Sequence, residues 1–94
     1  MSKSIVSNDQ QCWVCGNRLN LHKHHCYFGV SNRPLSEKYG CWVYLCGPHH
    51  NQTNKGVHFD HDLDLLLKKT TQREWEKRYG TREDFIKTFG RSYL

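Results

Sequence analysis

The stretch CWVYLCGPHHN, residues 41–51, joins a strand pattern, a metal-ligand pair and a helix start. Residues 42–45 are aromatic, β-branched or aliphatic, which predicts a strand. The Gly-Pro pair that follows predicts a helix over about residues 49–55, because proline is tolerated in the first helical turn. Two adjacent histidines, His49 and His50, begin this helix. Neither a hydrophobic core nor a solvated loop requires such a pair, so the two side chains are expected to serve two different metal sites.

Two pairs of potential ligands have the spacing of a zinc knuckle, Cys12-x-x-Cys15 and Cys46-x-x-His49. Zinc in structural sites binds four Cys or His ligands in a tetrahedron. A gap of two residues lets both side chains of a pair reach one ion. Two such pairs leave no open position for water, so the spacing predicts a closed, structural Zn²⁺ site.

The cysteine count also favours metal binding. The chain has five cysteines in 94 residues. Residues 1–10 are polar and lack the apolar core of a signal peptide. No apolar run approaches the roughly 18 residues of a transmembrane helix, so we expect a cytoplasmic protein without a membrane partner, whose cysteines stay reduced. Cys26 and Cys41 are rival zinc ligands without a partner at knuckle spacing, and both are expected in the core.

The net charge suggests a class of partner, and the pattern of the remaining segments predicts the extent of the domain. A formal net charge of +5 suggests a polyanionic partner, usually nucleic acid. Residues 1–10 are predicted to be a flexible leader, and residues 11–94 a single domain. Residues 21–28 alternate and predict the first strand, whereas the Gly and Asn-Arg-Pro signals of residues 29–40 predict a loop.

Two helices are predicted in the C-terminal third. An apolar stripe at every fourth residue predicts a long helix. Thr81 and Asp84 resemble a capping box that would begin a last helix. The stripe consists of Phe59, Leu63, Leu67, Thr71, Trp75 and Tyr79, and the last helix is expected to face the core with Phe85, Ile86 and Phe89.

The order of these motifs resembles the HNH endonucleases, the ββα-metal nuclease family. The stretches CWVC, LHKHHCY and YLCGPHHN match its knuckle, histidine strand and helix entry in sequence order. The phrases NRPLSEKYG, NKGVHF and FIKTFGRSYL are similar to small HNH proteins encoded by bacteriophages. The resemblance implies an α+β fold with a small ββα-metal core over residues 12–56. It also implies a zinc-knuckle pair and two additional C-terminal helices over about residues 60–94.

The resemblance implies roles for individual residues. His25 matches the general base that removes a proton from the attacking water. His24 and His50 match ligands of a catalytic ion, and Asn54 matches a further ligand on the same helix.

One family position differs in this chain. Cys41 stands where the middle asparagine of the family is expected, and Asn32 is predicted to orient the histidine strand in its place. Three cations, Lys23, Arg33 and Lys55, are predicted to contact phosphates.

The other histidines and the tryptophans carry weaker signals. His22 and His61 are expected to be solvated surface residues. His58 is expected either to form a hydrogen bond in the core or to reach the catalytic ion. Three tryptophans are predicted to be core anchors, namely Trp13, Trp42 and Trp75.

The resemblance implies a metal-dependent HNH endonuclease that hydrolyses DNA phosphodiester bonds with low sequence specificity. A divalent ion would neutralise the non-bridging and leaving oxygens of the phosphate, and Mg²⁺, Mn²⁺, Ni²⁺ and Zn²⁺ are the candidates. The alternative from another class is a catalytically silent zinc-stabilised module that binds DNA or a protein of a phage packaging or recombination system. A third possibility is the same site acting on RNA or on a particular nucleic-acid structure.

Overall fold

An antiparallel pair of strands forms the frame of the protein. The computed structural model describes residues 3–52, 56–57 and 60–94. Strand β1 spans Leu21–His25 and strand β2 spans Trp42–Cys46. Leu21 pairs with Cys46 and His25 pairs with Trp42. The start of β1 therefore lies beside the end of β2, where the chain enters the segment that carries the adjacent histidines.

Helices complete an α+β fold, as the sequence predicts at this coarse level. Helix α1 spans Asn32–Tyr39, α2 spans His61–Arg78 and α3 spans Arg82–Phe89. A π-helical turn, Pro48–Gln52, follows β2 directly and occupies the first part of the predicted helix over residues 49–55. Residues 53–55 of that prediction lie outside the described part of the chain.

The segment between the strands is helical, so the prediction of a loop over residues 29–40 is wrong. The Asn-Arg-Pro signal falls in the first turn of α1, where a missing backbone N–H costs no helical hydrogen bond. Gly40 ends the helix in a left-handed conformation with φ of 73°, and its N–H donates to the carbonyl of Ser36. A proline in the first turn of a helix and a proline in a loop therefore give the same signal in the sequence.

Part of the predicted flexible leader is packed, which corrects its boundary. Ser4 and Ile5 are buried, and the N–H of Ile5 donates to the carbonyl of Gly40 at 2.9 Å. The hydroxyl of Ser4 donates to the carbonyl of Trp42. A Cβ atom at residue 40 would collide with the backbone carbonyl of Lys3, so the close approach of the N-terminal segment requires glycine there.

Helix α2 joins the hydrophobic core through part of the predicted stripe. Leu67, Thr71 and Trp75 of α2 are buried, whereas the side chain of Tyr79 is 50 % exposed. Phe59 lies outside the described residues. Trp42 is buried like Trp75, and Trp13 is partly buried against the core, as expected of anchors.

Helix α3 contributes two of its three predicted core residues. Phe85 and Phe89 are buried, but Ile86 is 41 % exposed, so its prediction is wrong. One residue further along a helix turns the side chain by roughly 100°, which points Ile86 away from the face shared by the two phenylalanines. No helix in the described ranges combines the length and apolar character that crossing a membrane requires.

Thr81 and Asp84 form the predicted capping box, which gives a first prediction. The hydroxyl of Thr81 accepts from the N–H of Asp84 at 3.2 Å, and the N–H of Thr81 donates to Asp84 Oδ2 at 3.0 Å. Thr81→Ala should lower the free energy of unfolding by about 1 kcal/mol, measured by urea denaturation. Thr88→Ala in the same helix is the control and should change it by less than about 0.5 kcal/mol. Equal effects of the two changes would contradict a stabilising cap.

Candidate metal centre and histidine cleft

The two predicted ligand pairs meet in one cluster. One ligand atom from each of Cys12, Cys15, Cys46 and His49 lies within 4.8 Å of the other three. Cys15 Sγ and Cys46 Sγ are 3.8 Å apart. His49 Nδ1 lies 3.2 Å from Cys46 Sγ and 3.7 Å from Cys12 Sγ. The prediction that these four residues can hold a metal ion is confirmed.

The distances and the donor set both fit zinc. Bonds of about 2.3 Å to sulfur and 2.0 Å to nitrogen give tetrahedral edges of roughly 3.5–3.8 Å between ligand atoms. The observed separations, from 3.2 to 3.8 Å, lie close to these edges. Three thiols and one imidazole are a ligand set that structural zinc uses. The cluster is therefore compatible with structural zinc.

Local backbone structure brings the first pair to the second. The N–H of Cys12 donates to the carbonyl of Asn17, and the N–H of Gly16 donates to the carbonyl of Cys12, both at 2.8 Å. Gly16 has a φ of 77°, a conformation that favours glycine. The N–H of Trp13 donates to the carbonyl of Tyr44 at 2.9 Å. This last bond fastens the turn beside the end of β2, where the second pair begins.

The thiol of Cys12 differs in its ionisation from the core thiols and from Cys46, whose pKa burial raises. Burial opposes ionisation of Cys12, but hydrogen bonds from the backbone at Cys46, Cys15 and Val14 lower the pKa of its thiol to about 6. A thiolate is the form that binds a metal. The backbone around Cys12 therefore favours its ligand form.

The two remaining cysteines are core residues, as predicted. Cys26 and Cys41 are both fully buried. Burial raises the pKa of Cys26 to about 12 and also raises the pKa of Cys41. The hydroxyl of Thr71 contacts Cys26 Sγ at 3.3 Å. Neither thiol belongs to the metal cluster, which removes them as rival ligands.

A separate cleft collects the histidines for which the sequence suggests chemistry. It has a volume of about 820 Å³ and opens where β1 ends. His24, His25 and His50 all line it, together with Lys23 and Arg33. The structure thus gathers five of the predicted site residues in one place. Asn54, Lys55 and His58 lie outside the described residues.

His25 lies beside a carboxylate that the sequence reasoning missed. His25 Nε2 is 3.3 Å from Glu37 Oε1, and Lys23 Nζ donates to both oxygens of Glu37 at 2.8 and 2.9 Å. Lys23 also lies over the ring of Trp42, 4.3 Å from its centroid. The hydrogen bond from Lys23 is the main cause that lowers the pKa of Glu37, and His25 adds to it. An ionised Glu37 only accepts hydrogen bonds, so it favours the His25 tautomer with hydrogen on Nε2 and a free lone pair on Nδ1.

Asn32 does not make the predicted contact with the histidine strand. It begins α1, and its amide donates to the carbonyl of Phe89 at 3.2 Å, at the end of α3. Glu37, one and a half turns further along α1, makes the contact to His25 instead. Arg33 and Glu37 are four residues apart, share one helix face and both line the cleft. This spacing would have indicated Glu37 had the segment been predicted as a helix.

His22 is a second residue that the sequence reasoning misjudged. His22 Nδ1 lies 2.9 Å from His50 Nδ1, and His22 is half-buried rather than solvated. The ring centroids of His24 and His50 are 5.4 Å apart. His61, the other histidine expected at the surface, is exposed. The alternation of β1 places His22 and His24 on one face of the strand, which is the signal that could have identified His22.

Comparison of the chain with family models, with curated proteins and with solved structures found no match.

Proposed function

We propose that this protein is a metal-dependent HNH endonuclease with a ββα-metal core that hydrolyses DNA phosphodiester bonds. The observation that carries the proposal is the cleft at the end of β1, where His24, His25 and His50 converge. Two cationic side chains, Lys23 and Arg33, line the same cleft. A closed cluster of structural character beside an open histidine site is the arrangement that the family resemblance implies.

His25 is the proposed general base. Imidazole changes its protonation near physiological pH and can accept a proton from water. The carboxylate of Glu37 lies at Nε2, which leaves Nδ1 to accept that proton. Because Glu37 is itself fixed by Lys23, the imidazole is held in one orientation before the substrate binds.

His24 and His50 are the proposed protein ligands of the catalytic ion, with Asn54 as a further candidate. A bound divalent ion would supply charge neutralisation at the phosphate and its leaving oxygen. The chain's own contribution is to hold two imidazoles, one on β1 and one on the π-helical turn, near the proposed base. Arg33, which is exposed at the cleft, is available to contact a phosphate of the DNA strand.

The alternative function is a catalytically silent, zinc-stabilised module that binds DNA or a partner protein. The pairing of Lys23 favours it, because a lysine that donates to both oxygens of Glu37 is less available to a phosphate. Asn32 also favours it, because its amide donates to the carbonyl of Phe89 and so does not orient the histidine strand as the family's asparagine would. A nuclease that acts on RNA through the same cleft is a variant of the main proposal.

Nicking of supercoiled plasmid by the zinc-loaded protein tests the proposal. We expect nicking that requires an added divalent metal, tested with Mg²⁺, Mn²⁺, Ni²⁺ and Zn²⁺ in turn, and that His50→Ala abolishes while retaining the structural zinc. His61→Ala is the matched control, since it removes an exposed histidine outside the cleft. Binding should weaken steeply with salt, because phosphate contacts release counterions. Binding to DNA without nicking under any of these metals would favour the silent module, and cleavage of RNA alone would favour the RNA-directed variant.

A substitution at Glu37 gives a further prediction. Glu37→Gln should lower kcat about tenfold, because the amide no longer fixes the tautomer of His25. Glu37→Asp should recover part of the rate, and Glu83→Gln on α3 should leave the rate unchanged. A wild-type rate in Glu37→Gln would contradict a positioning role for this carboxylate.

A further inference from the structure

The contact between His22 and His50 is the feature that the nuclease proposal does not explain. His22 is in β1 and His50 is in the π-helical turn after β2. Their Nδ1 atoms are 2.9 Å apart, and their rings are nearly perpendicular with centroids 5.0 Å apart. Two Nδ1 atoms at this distance cannot both carry a proton in the plane of contact. At least one nitrogen therefore directs a lone pair into the gap.

The ring geometry is close to that of two imidazoles that bind one ion, although an N–H···N hydrogen bond between the rings has a similar Nδ1–Nδ1 distance. A metal–nitrogen bond of about 2.0–2.1 Å puts each ring centroid roughly 3.2 Å from the ion, so rings at 90–109° have centroids about 4.5–5.3 Å apart. The His22–His50 separation of 5.0 Å falls within this range. The His24–His50 separation of 5.4 Å lies just beyond it. π-Helical turns are rare and frequently occur at functional sites.

We propose that His22 and His50 together bind one divalent transition-metal ion, with His24 as the third imidazole of the site. In the described part of the chain, only the Cys/His cluster brings one atom from each of at least three ligand residues within 4.8 Å. For His24 to be the third ligand, its ring, whose centroid lies 5.4 Å from that of His50, has to rotate toward the pair. For its catalytic meaning the inference rests on the proposed nuclease function, but the binding itself can be measured without it.

The ligand set determines the class of ion. Imidazole nitrogen suits Co²⁺, Ni²⁺, Cu²⁺ and Zn²⁺, whereas Mg²⁺ prefers oxygen ligands. Two or three imidazoles on one strand face and one turn thus select a transition metal over Mg²⁺. His22, which the predicted ligand set omits, is the residue that shifts the site toward nitrogen ligands.

Titration of the zinc-loaded protein with Co²⁺ tests the inference. We expect one added equivalent, seen by calorimetry and by visible d–d absorption without the thiolate-to-metal charge-transfer band that the Cys/His cluster would give. Excess Mg²⁺ should not compete. His22→Ala and the more conservative His22→Gln should each weaken this binding at least about tenfold, while zinc content and thermal melting stay at the wild-type level. His61→Ala should bind as the wild type does.

The outcomes separate this inference from the nuclease proposal. Absence of a second equivalent, entry of Co²⁺ only into the thiolate site, or wild-type affinity in both His22 variants would overturn the inference. Loss of zinc or of melting cooperativity in both variants would overturn it as well, since His22 would then be a structural residue. A second equivalent that depends on His22, without nicking by any metal, would support the inference while the nuclease proposal fails. Nicking at the wild-type rate by both His22 variants, with unchanged metal affinity, would support the nuclease proposal and overturn this inference.

Discussion

Replacing His49 with alanine is expected to empty the Cys/His cluster and to lower the free energy of unfolding by at least about 3 kcal/mol. His49 Nδ1 lies 3.2 Å from Cys46 Sγ and 3.7 Å from Cys12 Sγ, so its loss removes one of the four potential metal ligands. Within the described residues the sheet has two strands, and domains of this size often depend on a metal for part of their stability. Metal binding contributes directly to folding in such domains.

Two companion variants make this prediction specific. His49→Cys should stay folded and keep zinc, because a thiolate replaces an imidazole in structural zinc sites. His50→Ala should keep both zinc and thermal stability, although it removes the neighbouring histidine. Zinc content by atomic emission and thermal melting measure all three proteins. A zinc-free His50→Ala together with a zinc-loaded His49→Ala would show that the two assignments are reversed.

The structure gives a physical reason for the two adjacent histidines. His49 Nδ1 is directed at the thiols of Cys12 and Cys46, whereas His50 Nδ1 is directed at His22. Consecutive side chains of a helical turn point in different directions, so His49 and His50 reach different partners. Two neighbouring residues of one turn can thus serve a closed cluster and an open cleft. The expectation that they belong to two metal sites stays a prediction for the second site.

Spacing along the chain was sufficient to predict the cluster but not the surroundings of His25. Knuckle spacing is a local property, since both ligands of a pair lie on one tight turn. The meeting of the two pairs then needs only the antiparallel pairing of the strands between them. Glu37, in contrast, reaches His25 only because residues 32–39 form a helix. Because the proline in the first turn of α1 resembles a loop signal, the helix was not predicted. Glu37, which contacts His25 in place of the predicted Asn32, was therefore not predicted either.

Register explains why His22 could not be placed from the sequence. Strand alternation alone puts His22 beside His24 on one face, but it does not say what that face meets. The pairing of Leu21 with Cys46 brings the start of β1 next to the π-helical turn. A register shifted by two residues would keep the alternation and separate His22 from His50. The burial of Ser4 and Ile5 is similarly invisible in a polar segment, because it depends on one glycine at residue 40.

Replacing His25 with alanine is expected to lower the cleavage rate by about 10²–10⁴-fold, the usual range for loss of a general base. The variant should keep its zinc, its fold and its affinity for DNA. The substitution leaves His22, His24 and His50 unchanged, so the proposed ligands of the catalytic ion remain in place. Lys23 and Glu37 keep their ion pair, with nitrogen–oxygen distances of 2.8 and 2.9 Å, so both charged side chains stay in position.

The comparison with Glu37→Gln decides what the loss means. If Glu37 acts by orienting His25, the double variant His25→Ala/Glu37→Gln should be no slower than His25→Ala alone, because residues that act as one unit are non-additive. Single-turnover nicking at saturating metal measures all four proteins, with His61→Ala as the control. Cleavage by His25→Ala within about threefold of the wild-type rate would remove His25 as the base. A further tenfold loss in the double variant would instead assign Glu37 a role that does not pass through His25.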